Sequence, residues 1–370
     1  MTDTDATADA DSDADDDANP AANTDDADTA TAPPSLSVDG LRTTLHCPRR
    51  YEFAHVHGLE GSDDDRTVED RVSLLRSALC DALRSGETER EPLESAARDR
   101  LSARWNEYDE RFHSVAQRRH ERRVLEATLS AYLERVGVDH ATGIARLDAE
   151  AARGELIGPG LPLSSTIELS TRTADSDAVT IDTAVDYVYG DGSSIVGVRF
   201  VPTLAPLGLL RYRSDWAGDV EDLFTEHFDT ESATFEPDPV GALFETAVVL
   251  DGLRDLRDRL ELGDRTCRYV QIPLADRSGT AVNWVRETVE TNLEIVDLTD
   301  VYVDHHTFGM THEHRNGTVD DRLAAVATSL LSGPFDPSDR WDRIADNSCP
   351  DCEYTVCCQE YIAAEVRFDG

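Results

Sequence analysis

The cysteines carry the most legible chemistry in this chain, and four of its seven fall between positions 349 and 358. In the run SCPDCEYTVCC, Cys349 and Cys352 are separated by two residues, a spacing that lets two thiolates share one metal. Cys358 follows after five more residues, with Cys357 immediately before it. A cubane iron-sulfur cluster takes four cysteine thiolates, drawn from chain segments able to surround it. Cys47, in HCPRRYEF near the other end, is the fourth candidate; like Cys349 it precedes a proline, which turns the chain. The same thiols suit a tetrahedral zinc site, and Cys357 competes with Cys358 for the last position. Cys80 and Cys267 lie in apolar helical and strand contexts and read as buried core thiols. This usage in a long chain points to metal chemistry in a reducing compartment rather than to a disulfide framework.

The two cysteine segments have recognisable surroundings. CPRRYEF, preceded by Ser37 and a short helix, pairs with GPFDPSDRWDRIADNSCPDCEYTVCC. Together they resemble the PD-(D/E)XK nuclease superfamily, in the RecB-like exonuclease type that carries a four-cysteine iron-sulfur cluster. CRISPR-associated exonucleases and the C-terminal domain of AddB-type helicase-nucleases share this layout. The resemblance covers about residues 37 to 365, strongly at both ends and weakly between. It implies an α/β fold with a restriction-endonuclease-like core and mixed sheet. It also implies a 4Fe-4S cluster on Cys47, Cys349, Cys352 and Cys358 that staples the two ends together. DNA is the implied partner, with a separate helicase subunit as a further one and Mg²⁺ or Mn²⁺ as a cofactor if catalysis is retained.

Such nucleases hold their metal with carboxylates on a bent hairpin, and a lysine two residues beyond the second acid assists the attacking water. The first acid corresponds to Asp186 in TAVDYVYGDG. The returning strand, SSIVGVRFV, offers Gly197, Val198 and Arg199 where the second acid and the lysine belong. Glycine cannot bind a metal. All 35 basic residues of the Lys+Arg total are arginine, so no lysine from another element can substitute. A guanidinium stays protonated and prefers to clamp oxyanions, so Arg199 suits a phosphate better than it suits water activation. The segment RTVEDRVSLL has Glu69 and Asp70 but lacks the family's upstream histidine, and GALFETAVVLDG lacks its Gln and Tyr. The expectation is a degenerate, non-catalytic relative that binds DNA or a helicase. The alternative is an active exonuclease in which Asp186 joins Asp182 or Glu168 around one cation, and a third reading is a redox-sensing or scaffolding protein.

These residues need elements to position them. Residues 1–37 hold 11 aspartates, no base and few large apolar side chains, which predicts a disordered acidic tail. The remainder, 38–370, divides into a helical part over 38–150, a sheet-containing core over 151–345 and the cysteine segment over 346–370. Apolar spacing predicts helices over 66–85 and 91–136, and alternation around Gly-Asp-Gly predicts a hairpin over 179–201. Helices near 239–261, 279–291 and 317–331 are expected to alternate with strands near 267–273 and 299–304.

Net charge is −40, and the acidity extends well beyond the tail, as on the surfaces of salt-in halophiles. In molar salt the Debye length falls to about 3 Å, so such a surface chiefly holds water and cations and says more about habitat than about partners. Against it, HSVAQRRHERR is the one dense basic stretch. Arg118, Arg119, Arg122 and Arg123, with Arg199, are candidate DNA-binding residues. The same helical arginines would equally pair with Glu110, Glu121 and Glu126. DHHTFGMTHEH gathers Asp304, His305, His306, His312 and His314 without regular ligand spacing and reads as a polar loop. P-loop, dinucleotide and nucleophile-elbow motifs are absent from the sequence. With neither a long apolar run nor a basic, apolar leader, a cytoplasmic protein without a membrane partner is expected.

Overall fold

The computed structural model describes residues 33–59, 66–151, 154–173, 176–212, 219–303 and 315–365. Residues 33–370 cluster as a single unit, and the fold is mixed α/β, as the sequence predicts. The first 32 positions of the expected tail lie outside the described residues. Order begins inside the remainder of that tail: β1 (Ser35–Ser37) runs parallel to Thr180–Asp182.

Helices dominate the first part. α1 (Val38–His46) starts at Ser37, whose hydroxyl accepts the Gly40 amide at 3.0 Å. α2 (Pro48–Tyr51) begins immediately after Cys47, with proline in its first turn, and runs on into a π-helical turn at Glu52–Val56. α3 (Arg66–Leu83), α4 (Arg90–Glu107), α5 (Val115–Tyr132) and α6 (Val138–Glu150) follow. The helical pattern expected over 91–136 is broken between α4 and α5. Tyr108 and Phe112 fold back there onto Trp105, at ring-centroid distances of 5.7 and 5.5 Å, and Arg71 takes Glu110. Burying two aromatics outweighs continuing one helix.

The sheet is built on β2 (Ile157–Thr173), β3 (Ser176–Asp191) and β4 (Ser194–Val201), which pair antiparallel in sequence order. β3 and β4 are the expected hairpin; β2, although apolar and polar residues alternate over LPLSSTIEL, was not anticipated. β2 runs along one edge of β3, and β1 and β4 share the other. After β4 come a 3₁₀ stretch (Ala205–Tyr212), α7 (Val220–Phe228) and α8 (Pro237–Arg259), which lead to β5 (Thr266–Pro273), parallel to β4. α8 is buried on nearly every side, as suits an apolar helix under a sheet. The consecutive residues Tyr187 and Val188 face opposite ways. Tyr187 meets Tyr132 of α5 and His140 of α6, whereas Gly197, paired with Val188, lies against Leu253 of α8. Helices therefore cover both faces.

Two expected elements differ. Residues 279–291 form a hairpin, β6 (Thr280–Asn283) and β7 (Thr288–Thr291), rather than a helix. β-Branched residues at alternate positions outweigh the helical spacing, and Asn283 turns the chain by accepting the Val285 and Arg286 amides. The strand near 299–304 is displaced to β8 (Val296–Asp297), because Asp297 accepts the Thr299 amide at 2.9 Å and starts the short α9 (Thr299–Tyr302). α10 (Gly317–Ser332), α11 (Trp341–Asn347) and α12 (Gln359–Glu365) complete the order. Among the described residues no helix is long and apolar enough to cross a membrane.

Candidate functional site

The cysteine segments meet. Cys47 sits in extended backbone between α1 and α2, Cys349 and Cys352 occupy the turn after α11, and Cys358 directly precedes α12. Cys47, Cys349 and Cys358 are buried and Cys352 is half-buried. Cys357 is exposed, and its thiol donates to the Tyr354 carbonyl at 3.3 Å, outside the group. The turn from Tyr354 thus buries Cys358, whose thiol donates to Glu360 Oε2 at 3.5 Å, and leaves its neighbour exposed. Burial, then the charges of Cys47, Cys352 and Cys358, push the Cys349 thiol up to about 11. Burial likewise raises Cys47, against the amides of Arg50 and Arg49 that favour its thiolate, with Cys352 a further raising influence. Cys47, Cys352 and Cys358 therefore all lie within electrostatic reach of Cys349, and Cys352 and Cys358 within reach of Cys47.

Ile344 completes an apolar cluster with Cys47 and Cys349, flanked by Phe235, Trp341, Ala345 and Tyr361. Ion pairs of Arg49 with Glu360 (2.6 Å) and Arg50 with Glu353 (3.1 Å) tie α2 to the C-terminal segment. The Tyr354 hydroxyl adds a bond to the Leu59 carbonyl at 2.9 Å. Two buried donors beside the cysteines, Arg49 Nε and Ser348 Oγ, find no partner in the protein. A sulfur-rich group on the four thiols would provide acceptors for them, so the donor set and its surroundings fit such a group. Among the described residues no three His, Cys, Asp or Glu side chains are closed to metal-ligand spacing, this quartet included. Cys80 and Cys267 are buried core thiols, as expected.

Asp186 lies on β3 and is fully buried. Its Oδ1 accepts from Arg76 Nε and Nη2 of α3, at 2.9 and 2.7 Å, and its Oδ2 accepts the Phe200 amide at 2.6 Å. The last register pair between β3 and β4 is Tyr187 with Val198, so this carboxylate satisfies an amide that the ladder leaves behind. Opposite, β2 slips register between Ile157 and Leu161. Gly197, at the expected second-acid position, faces α8: a Cβ there would lie 3.0 Å from Leu253 Cδ1 and 3.3 Å from Val185 Cγ1.

Sequence reasoning missed Glu245 of α8. It is fully buried, and its Oε1 accepts from Arg199 Nη1 at 2.6 Å and from the Tyr269 hydroxyl, while Arg42 Nη1 reaches its Oε2 at 3.3 Å. Burial opposes its ionisation, but Arg199 and Arg42, with the Tyr269 bond, outweigh it and hold the carboxyl below its ordinary range. Glu245 in turn is the main influence raising the Arg199 guanidinium. A lone glutamate within an apolar helix was the available signal, since a buried charge requires partners. Arg42, Arg76 and Arg199 line a cavity of about 570 Å³ whose wall also includes Asp39, Glu69 and Asp70. Three guanidiniums and three carboxylates thus share this wall, and Asp186 lies behind it, bonded to Arg76 and to the Phe200 amide.

The atypical cation site does not assemble. Asp182 is exposed and accepts from Ser35; four residues along β3, it is about 13 Å from Asp186. Glu168 pairs in register with Ala178, about 26 Å along the strand. Shared cation ligation needs both oxygens at about 2.0–2.6 Å from one ion.

Of the basic stretch, Arg118 turns inward to the Trp105 carbonyl (3.2 Å), Arg122 pairs with Glu126 (2.8 Å) and Arg123 with Glu287 (2.7 Å). Glu110 is taken by Arg71, and Glu121 by both Arg71 and Arg277. Arg119 remains exposed. The His305–His314 cluster lies outside the described residues. No protein-family model and no curated protein matches the chain.

Proposed function

We propose that this chain is a PD-(D/E)XK-like protein of DNA processing or repair that grips DNA or a helicase partner without cutting. One observation carries the reading: both oxygens of the fully buried Asp186 are already engaged, by Arg76 and by the Phe200 amide, behind a cavity that Arg76 lines together with Arg42 and Arg199. The cavity's guanidiniums are matched by Asp39, Glu69 and Asp70, but Asp186 has no oxygen left for a cation, and a chain without lysine has no ammonium to place beside an attacking water. The three arginines are instead held in position to meet oxyanions: Asp186 orients Arg76, and Glu245 orients Arg199 and Arg42.

Cys47, Cys349, Cys352 and Cys358 would hold a 4Fe-4S cluster, with zinc as the alternative occupant. When bound, the cluster would supply a cross-link between the chain's two ends. The protein's own residues keep those ends together through Arg49, Arg50 and Tyr354, and Ile344 and Trp341 shield the thiols from water.

The test is anaerobically purified protein in molar KCl, given single- and double-stranded DNA with Mg²⁺ or Mn²⁺. DNA retained but uncut is expected. Metal-dependent cleavage that disappears in a folded Asp186→Asn variant would overturn the reading, as would failure to bind both DNA and a helicase subunit.

A further inference from the structure

The tip of the β6–β7 hairpin presents large apolar side chains to solvent: Trp284 is 73% exposed and Val285 94%. The tip is well braced. Asn283 Oδ1 holds the Val285 and Arg286 amides at 3.1 and 3.0 Å, and Arg123 of α5 grips Glu287, the left-handed residue that closes the turn (φ 53°). The His120 imidazole, also on α5, stacks against the indole with centroids 5.0 Å apart and planes 29° apart. One face of Trp284 is therefore backed and the rest of the ring is open.

Two arginines lie near the His120–Trp284 pair in sequence. Arg119 adjoins His120 in sequence, Arg286 is two residues from Trp284, and both are exposed. Among the described residues, no hydrogen bond or ion pair engages either guanidinium. Residues 113–123 carry four arginines against one glutamate, and that glutamate is buried beneath Arg71 and Arg277. In a chain of 75 acids and 35 arginines, an open indole near two exposed guanidiniums, one of them, Arg119, acting at longer range on Glu287, runs against the composition.

In molar salt, counterion release adds little to a phosphate contact, whereas stacking of a base on an aromatic ring does not depend on it. We infer that this tip binds single-stranded DNA. Trp284, backed by His120, stacks an unpaired base, Val285 lies beside it, and Arg119 and Arg286 meet the flanking phosphates. A duplex keeps its base faces covered, so an unpaired strand is the occupant this chemistry fits. The inference rests on the DNA-binding reading above and adds the strand type and the contact residues.

The experiment is fluorescence anisotropy of labelled oligothymidylate and of a duplex of equal length, in molar KCl, with the full chain and its Trp284→Ala and Trp284→Phe variants. Trp284→Ala is expected to lose about tenfold in oligothymidylate affinity, the scale of one stacked base, while Trp284→Phe keeps most of it. Duplex binding and melting temperature should not change, because the side chain is exposed. Equal oligothymidylate affinity for wild type and Trp284→Ala overturns this inference alone. Wild type that binds neither nucleic acid removes the DNA reading as well. A Trp284→Ala defect confined to a helicase subunit overturns the inference and reassigns the tip to protein docking.

Discussion

Arg76 of α3 and Asp186 of β3 form a part-buried pair, a fully enclosed carboxylate with a guanidinium that reaches solvent, with Nη2 to Oδ1 at 2.7 Å across 110 positions of sequence. The other Asp186 oxygen holds the Phe200 amide where β4 parts from β3. The carboxylate that best matches a catalytic acid is thereby also a structural joint between helix and sheet. Asp186→Ala would leave Arg76 and the Phe200 amide without that partner. A loss of about 1–3 kcal/mol is expected, chiefly from the stranded amide, read by urea denaturation in molar KCl. Unchanged stability would show that the joint carries no weight.

Rebuilding the missing acid should not rebuild an enzyme. Gly197 faces Leu253 and Val185, where a Cβ already crowds and a carboxylate would meet apolar side chains. Gly197→Glu is expected to cost at least about 3 kcal/mol and to gain no Mg²⁺-dependent cleavage. Cleavage by a stable variant would show that α8 yields and that the cavity admits a metal.

Glu245 makes stability sensitive to acid. Its folded pKa lies below the ordinary glutamate value of about 4.3, so its contribution is fully present above that value and is lost as pH falls through the folded pKa. Glu245→Gln should therefore melt well below wild type at neutral pH, with Arg42 and Arg199 left unbalanced. The gap between the two should shrink as the solution is taken into the acid range. Melting scans across pH test this, and a constant gap would mean that Glu245 does not titrate with folding.

Serine substitutions should separate the five cysteines at the chain's ends. At Cys47, Cys349, Cys352 or Cys358 they are expected to lower iron and acid-labile sulfide per chain and to lower the melting temperature. Cys357→Ser should leave both unchanged, because its thiol turns away from the group. Stoichiometric zinc without sulfide would replace the cluster with the alternative metal.

The α/β class, the β3–β4 hairpin and the cysteine segments were legible because they rest on neighbours in sequence: alternation, turn residues and short spacings. The choice of Cys358 over Cys357 was not, since a single turn from Tyr354 decides which thiol is buried. Residues 279–291 misled because a short amphipathic stretch satisfies both periods, and packing of β7 against α5 favours the strand. Sequence alone marked Asp186 as a candidate acid and showed that the chain has no lysine and that the returning strand carries Gly197 rather than a second acid. Only the tertiary structure decided what surrounds that acid. The partners of a buried charge are recruited from wherever the chain returns, here Arg76 for Asp186 and Arg42, Arg199 and Tyr269 for Glu245. Local spacing records how a segment coils, but it carries no record of which distant charge will be folded against it.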